Sequence, residues 1–186
     1  EILPEDAVHQ AKRILLDTLG CAIGAYVAPG RIICEDAIKE IGGREEATLF
    51  GSGIRTNALN ATLHNGFLVR FLDYNDLGGG GHNSDAIPSI IAVAEREKSN
   101  GKDFLTSLVI SYELGQRFTD SAKGSSLQER GWCFDIRGGV SMPPSLGKLM
   151  DLTEEQIANA IGICASQSNP LNILDAHREG CVNAKN

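Results

Sequence analysis

Apolar residues recur at steps of three and four along most of this chain, which is the spacing of one face of an α-helix. The first such segment runs from Pro4 to Tyr26, and Glu5 and Asp6 give it a favourable first turn. The period-two alternation of a half-buried strand is almost absent, although 47–50 reads as briefly extended. The chain is therefore predicted to be all-α. Further helices are expected at about 32–41, 57–72, 85–98, 103–114, 142–150 and 153–164.

Local signals predict where several of these helices begin and end. Pro29-Gly30 is expected to stop the first helix, and Ser84 or Asp85 to cap the fourth. Asp103 is expected to cap the fifth, and two prolines to occupy the first turn of the sixth. The run Thr153-Glu154-Glu155-Gln156 is a capping box that should open the last helix.

Composition and charge exclude several classes of protein. A chain of 186 residues with 42% hydrophobic residues suffices for one domain with a buried core, while a net charge of -7 with 17 scattered basic residues argues against a nucleic-acid partner. Five cysteines without paired C-x-x-C spacing argue against a zinc cluster or a disulfide framework, and favour a reducing compartment. The apolar run Ile14-Leu15-Leu16 is far too short to span a membrane, and no signal segment opens the chain. We therefore expect a soluble cytoplasmic protein without a membrane partner.

One loop between two predicted helices concentrates ionisable side chains. It contains Asp73 and Asp76, then the glycines Gly78 to Gly81, and then His82 and Asp85. Four successive glycines oppose both helix and strand but allow tight folding around a ligand. The loop is predicted to be an active-site loop, with a solvated interhelical connection as the alternative.

His82 is the leading catalytic candidate, because an unperturbed imidazole exchanges protons near neutral pH. A carboxylate of Asp73, Asp76 or Asp85 could orient the ring, and the alternative reading is an exposed loop histidine. Phosphate binding by the glycines is disfavoured because no G-K-[ST] follows them. A metal site is disfavoured because neither H-E-x-x-H nor calcium-loop spacing is present.

A second candidate loop lies between Lys123 and Gly139. There Arg130 and Arg137 flank the aromatic residues Trp132 and Phe134, an arrangement that could grip a carboxylate, although surface arginines without a specific role remain the alternative. Near the end of the chain, Lys185 could bind or protonate an anionic intermediate, although by itself it reads more readily as a solvated lysine.

The order of several segments resembles the MmgE/PrpD family. The matching segments are Arg13-Ile14-Leu15-Leu16-Asp17-Thr18-Leu19-Gly20-Cys21, Asn65-Gly66, Leu72-Asp73-Tyr74-Asn75-Asp76, His82 before Ala86-Ile87-Pro88, Gly147-Lys148-Leu149, and 152–162. The resemblance implies an all-helical catalytic domain of a cofactor-free, homodimeric enzyme. Family members are longer and carry a second, smaller α+β lid domain. Residues 1–186 are accordingly expected to form one helical domain, a fragment of a longer two-domain enzyme.

What the resemblance implies about the reaction is a lyase for a small di- or tricarboxylate, most nearly a 2-methylcitrate dehydratase. It places the family's active-site histidine at His82, with Asn83 where proline often stands, and the active-site lysine near Lys185. Asp73 and Asp76 are expected to position His82. The substrate is expected to contact Asn83, Ser84, Asp135 and Arg137.

The chain departs from the decarboxylase-type members of the family in one segment. A histidine of those members should lie near Trp132 or Cys133, and residues 131–135 contain none. This disfavours cis-aconitate decarboxylation and leaves Asp135 or Arg137 as possible replacements. A decarboxylase or epimerase of the same family, and a truncated inactive helical module that keeps the fold or the dimer surface, stay open as alternatives.

Overall fold

The computed structural model describes residues 3–77, 81–122, 127 and 129–167. The all-α prediction is confirmed, and the core of the described residues is built mainly from contacts between helices. Their bounds are Glu5–Gly24 (α1), Pro29–Ile41 (α2), Ala58–Phe71 (α3), Ile87–Arg96 (α4), Gly101–Ser121 (α5), Gly138–Leu149 (α6) and Glu154–Ser166 (α7). Short 3-10 helices lie at Ala25–Val27, Asn83–Ala86 and Phe134–Arg137.

A small antiparallel ladder interrupts the helical pattern between α2 and α3. Strand β1, Ala47–Thr48, pairs with β2, Arg55–Thr56, so that Ala47 lies opposite Thr56. The extended segment expected at 47–50 is therefore partly confirmed, while its partner strand was missed. Two residues on each strand are too few to show a period-two pattern in the sequence.

Helix α4 lies at the centre of the largest hydrophobic cluster. Ile87 and Ile90 are fully buried there and pack with Leu108 of α5 and Leu149 of α6. Two smaller clusters surround α3, one beside the strands around Leu49 and one beside the end of α1 around Leu68. Because α4 is apolar on the faces that meet α1, α5 and α6, its first turn is held firmly.

One helix begins earlier than predicted, and another has a different cap. The first helix ends before Pro29-Gly30 as predicted, but Pro29 already occupies the first turn of α2, where its missing N–H and fixed φ are tolerated. Asn100, rather than Asp103, caps α5, since its side chain accepts from the backbone N–H groups of Lys102 and Asp103. The side chain of Asn100 is simply placed one turn earlier than that of Asp103, within reach of the free N–H groups.

The start of α6 also differs from the prediction. The helix begins at Gly138, so Pro143 and Pro144 lie inside it rather than in its first turn. The expected second loop is accordingly shorter, because 134–137 already form a 3-10 turn that leads into α6. The capping box at Thr153 and Gln156 is confirmed, with both of its reciprocal hydrogen bonds present.

Helix α4 does not begin with the side-chain cap that the sequence suggested. Its approach is the 3-10 turn Asn83–Ala86, and neither Ser84 nor Asp85 caps the helix. Ser84 is instead fully buried and bonded to the preceding loop. The end of α3, the start of α4, the middle of α5 and the start of α6 therefore meet around that loop. No helix among the described residues has both the length and the apolar character that crossing a bilayer requires.

Candidate active site

The imidazole of His82 is held on both sides by the acidic loop. Its Nδ1 lies 2.5 Å from the main-chain carbonyl oxygen of Asp76, and its Nε2 lies 3.3 Å from Oδ1 of Asp73. A carbonyl oxygen only accepts hydrogen bonds, so Nδ1 carries a proton and donates it. Nε2 is then the ring nitrogen available for proton transfer, and it lies beside the carboxylate of Asp73.

Asp73 occupies a left-handed backbone position just after α3. Its φ is 51°, and its N–H donates to the carbonyl oxygen of Arg70 at 3.0 Å, which closes the last turn of the helix. Aspartate tolerates this conformation better than most residues, because its short polar side chain bonds locally. The turn directs the half-exposed carboxylate of Asp73 toward both Arg70 and His82.

Arg70, in the last turn of α3, connects three members of the loop. Its Nη2 lies 3.1 Å from Asp73, its Nη1 donates to Oδ1 of Asn75 at 3.1 Å, and its Nε lies 3.1 Å from Oδ1 of Asp85. Each guanidinium nitrogen therefore has a different acceptor. A planar fork of this kind fixes its partners relative to one another, which a lysine ammonium does not.

The carboxylate of Asp76 points away from the imidazole and ties the loop to α5. Its Oδ1 accepts from both the hydroxyl and the backbone N–H of Ser84, and its Oδ2 accepts from the Tyr112 hydroxyl at 2.7 Å. Burial raises the pKa of Tyr112, and the neighbouring Asp76 raises it further, so the phenol stays a donor. Asp76 thus contacts the ring of His82 through its main-chain carbonyl oxygen rather than through its carboxylate.

Arg137 brings a buried cation to the same place from the start of α6. The residue is 4% exposed, and its Nη2 has no hydrogen-bond partner among the described residues. A Cβ at Gly81 would lie 2.6 Å from Nη2, so the guanidinium packs directly against this backbone and a larger residue there would displace it. Burial lowers the pKa of Arg137, and Asp85 and Asp135 oppose that effect. A buried guanidinium with an N–H group that has no acceptor among the described residues can bind an anion.

A cavity of about 160 Å³ joins these groups. Its polar lining consists of His82, Asn83, Asp85, Asp135, Arg137 and Ser141. Loss of solvation raises the pKa of Asp85 to about 7, although Arg70 and Arg137 both act to lower it. The cavity therefore contains an imidazole ring, a buried guanidinium and a carboxyl group whose pKa is raised to about 7. Perturbed groups in one cleft are typical of a functional site.

A second cavity of about 430 Å³ lies between α1 and α5. It meets the first at Asn83, which lines both, and it is bounded by Asp76 and Tyr112. A Cβ at Gly115 would lie 3.0 Å from Oδ1 of Asn83, so α5 approaches the loop closely at this point. The larger cavity is otherwise mainly apolar, with Gln10, Glu113 and Gln116 at its edge.

The structure brings most of the predicted site residues together. Asp73, Asp76 and Ser84 form the support around His82, while Asn83, Asp135 and Arg137 line the small cavity. Ser84 does not reach the cavity, because it is fully buried against Asp76. Lys185 and 78–80 lie outside the described residues. Of the two arginines in the second loop, Arg130 is exposed and Arg137 is buried.

Sequence reasoning missed Arg70 and Tyr112. The position of Arg70 three residues before Asp73 was a usable signal, because residues at that spacing are neighbours at a helix end. Tyr112 lies in the helix predicted at about 103–114, and no local pattern links it to a loop 36 residues earlier. The described residues contain no cluster of three or more His, Cys, Asp or Glu side chains that could hold a metal ion.

Comparison with known proteins agrees with the resemblance. The MmgE/PrpD N-terminal domain family matches residues 1–179. A cis-aconitate decarboxylase-like protein of Aspergillus oryzae is 26% identical over 191 residues, covering 97% of this chain and 39% of the relative. The cis-aconitate decarboxylase of Aspergillus terreus is 25% identical over 176 residues, covering 89% and 36%. The 2-methylcitrate dehydratase of Escherichia coli (strain K12) is 26% identical over 183 residues, covering 88% and 36%.

This chain spans less than two fifths of the length of these curated relatives. The family match nevertheless extends over nearly all of its own residues, and the helical architecture and the acidic loop are those that the resemblance implied. The chain therefore belongs to the MmgE/PrpD family, and it corresponds to the N-terminal domain of that family.

Proposed function

We propose that this chain is the N-terminal domain of a cofactor-independent lyase that removes water from a small di- or tricarboxylate, with 2-methylcitrate as the favoured substrate. The observation that carries the proposal is that His82 and the buried Arg137, whose Nη2 has no hydrogen-bond partner among the described residues, line one small cavity. The cation supplies the recognition of a carboxylate, and the imidazole supplies proton transfer.

The size and charge of the cavity suit such a substrate. About 160 Å³ is well below the roughly 300–1,000 Å³ typical of pockets for larger ligands, so it fits a small acid or one end of it. Nη2 of Arg137 is a donor in a water-poor place, where a charge-assisted bond to a carboxylate is strong. Lys185, which the resemblance places in the active site, is the second cation that this proposal expects.

The reaction needs a base next to an activated carbon–hydrogen bond. With Nδ1 donating to the Asp76 carbonyl, Nε2 of His82 removes the proton beside a substrate carboxylate, and the nearby Asp73 balances the positive charge that the ring acquires. The guanidinium of Arg137 stabilises the negative charge that builds up on the carboxylate. The electron pair then forms the carbon–carbon double bond as the hydroxyl leaves.

Dehydration is favoured over decarboxylation by one segment of the chain. Relatives named for either reaction match at similar identity, so the comparisons do not choose between them. Residues 131–135 contain no histidine, and the cavity is lined at that point by Asp135 instead. Loss of carbon dioxide leaves the electron pair of the broken bond on carbon, and an ionised Asp135 close to that carbon would oppose this.

The test is a substrate screen with the protein in the longest form that its gene encodes. 2-Methylcitrate, citrate, cis-aconitate and iminodisuccinate are each assayed for a change in ultraviolet absorbance and for release of carbon dioxide. We expect absorbance to rise with 2-methylcitrate without release of carbon dioxide. His82→Ala should lower kcat by about a hundredfold or more, the usual contribution of a positioned acid or base.

The matched control is His9→Ala, because His9 is an exposed histidine of α1, far from the loop in sequence. This variant should retain wild-type turnover. Release of carbon dioxide from cis-aconitate would show that the reaction is a decarboxylation instead of a dehydration. No turnover of any of the four acids would contradict the enzyme proposal. Wild-type turnover by His82→Ala would remove His82 from its role.

A further inference from the structure

Asp85 is a carboxyl group of the site that has no role in the proposed dehydration. It lines the same 160 Å³ cavity as His82 and Arg137. Its Oδ1 is inaccessible to solvent and lies 3.1 Å from Nε of Arg70, but it makes no hydrogen bond with the described residues. The side chain is about one-third exposed, so the charge of Arg70 favours the carboxylate while the loss of solvation around Oδ1 favours the acid.

We propose that Asp85 is the second proton carrier of this site, the carboxylic acid that protonates the departing hydroxyl group while His82 removes the carbon-bound proton. The inference rests on the proposed dehydration and assigns it a general acid. Elimination of hydroxide without protonation is slow, so a base alone does not complete such a site.

Titratable and charged groups face Asp85 from several elements. Arg70 faces it from α3, Asp76 from the loop, Tyr112 from α5, and Asp135 and Arg137 from the turn before α6, while His82 shares its cavity. The two arginines favour the carboxylate, and the two aspartates and the loss of solvation favour the acid. The balance raises the pKa of Asp85 to about 7, so that a large fraction of the molecules hold its proton at neutral pH.

The step balances without any further reactant. Nε2 of His82 takes the proton from carbon, and the two electrons of that bond become the second bond of the alkene. The carbon–oxygen bond breaks with its electron pair on oxygen, which takes the proton of Asp85 and leaves as water. His82 then returns its proton to solvent, and Asp85 regains one from solvent.

The first measurement follows the proton of Asp85 without any substrate. Infrared difference spectra of the wild-type protein across neutral pH should show the C=O stretch of a protonated carboxylic acid, disappearing as the pH rises through about 7. Asp85→Asn should lack this band, and Asp36→Asn, which changes an exposed aspartate of α2, should keep it. A wild-type spectrum identical to that of Asp85→Asn would overturn the proposal whether or not the protein is active.

The second measurement separates proton donation from structural support. Asp85→Asn should lower kcat for 2-methylcitrate by about a hundredfold or more and change KM by less than about threefold. An analogue in which chlorine replaces the hydroxyl group loses chloride, which needs no proton. Asp85→Asn should therefore process that analogue about as fast as the wild type, whereas His82→Ala should not.

The pH profile gives the sign of the effect. The acid must be protonated to act, so wild-type kcat should fall as the pH rises through about 7, and the residual activity of Asp85→Asn should lack this fall. If Asp85→Asn is equally slow with both substrates, its role is structural and the proposal fails. If the wild type turns over none of the four screened acids while the infrared band is present, it is the proposed function that fails instead.

Discussion

Asp73 combines a backbone role with an electrostatic one. Its left-handed conformation, with φ of 51°, ends α3, and its carboxylate contacts Arg70 and the imidazole of His82. Asparagine tolerates the same backbone conformation but carries no charge. Alanine neither tolerates the left-handed conformation well nor carries a charge. Substitutions at this one position therefore separate the shape of the loop from its charge.

We expect Asp73→Asn to keep the free energy of unfolding and to lower kcat by about tenfold or more, because the protonated ring loses its counter-charge. Asp73→Ala should also lose about 1 kcal/mol of stability, the cost of a left-handed residue with an ordinary side chain. Urea denaturation and steady-state kinetics of the two variants measure these effects.

Asp151 provides the control, because it is a second aspartate with a positive φ, 53°, at the end of a helix outside the site. Asp151→Ala should lose similar stability and no activity. Equal activity in Asp73→Asn and the wild type would show that the charge of Asp73 plays no part in turnover.

At the scale of single residues, the sequence predicted the members of one loop better than their partners. His82 and Asp73 are separated by a few loop residues, so their proximity followed from the chain itself. Arg137 was found because its residue type suits an anion, although nothing in the sequence indicated its burial. Tyr112 was missed because its contact with Asp76 exists only once α5 packs against the loop.

At the scale of helices, α6 and α7 pack so closely that a glycine is required between them. A Cβ at Gly147 would lie 2.7 Å from Cγ1 and 3.1 Å from Cδ1 of Ile157. A Cβ at Gly162, on the exposed face of α7, would meet nothing within 4 Å. The two glycines are thus similar in local conformation and opposite in tertiary surroundings.

We expect Gly147→Ala to destabilise the protein by about 1–3 kcal/mol, because the added methyl group forces α6 and α7 apart. Gly162→Ala should stabilise it by about 0.5–1 kcal/mol, because alanine loses less backbone entropy in a helix. Thermal unfolding of the two variants side by side measures both. A stabilising Gly147→Ala would show that the interface between these helices yields easily.

Helix positions followed from apolar periodicity, and helix ends followed less well. The capping box at Thr153 lies within four residues of sequence, so its pattern was visible. Asn100 and Asp103 are both good caps, and only the path of the chain shows which of them meets the free N–H groups. The prolines at 143 and 144 suggested a helix start, but they lie inside α6.

At the scale of the whole molecule, burial of the Arg137 guanidinium reduces the stability of the unliganded protein, because Asp85 and Asp135 offset only part of the effect of burial. Its Nη2 makes no hydrogen bond with the described residues. An anion that binds there stabilises the folded state by mass action, by about 2.7 kcal/mol at a concentration of one hundred times Kd. Ligand binding should therefore appear as increased thermal stability.

We expect 2-methylcitrate to raise the Tm of the wild-type protein and not that of Arg137→Gln, which lacks the charge. Arg117→Gln should respond like the wild type, because Arg117 is an exposed arginine of α5 paired with Glu113. Differential scanning fluorimetry at fixed ionic strength makes the comparison. An equal shift in wild type and Arg137→Gln would place the anion elsewhere.

The division of the protein into domains stays a prediction, since the relatives extend well beyond the length of this chain. The fold class, in contrast, was predictable because seven segments repeat one period over the described residues. The meeting of four helices around one loop was not, because it depends on which faces of α4 are covered by α1, α5 and α6.

Asp76 joins three parts of the molecule through three different atoms: its carbonyl oxygen holds His82, one carboxylate oxygen holds Ser84 and the other holds Tyr112. The orientation of the imidazole is thereby coupled through hydrogen bonds to α5, the longest helix among the described residues. The packing that fixes the position of α5 therefore also fixes the carbonyl oxygen that orients Nδ1 of His82.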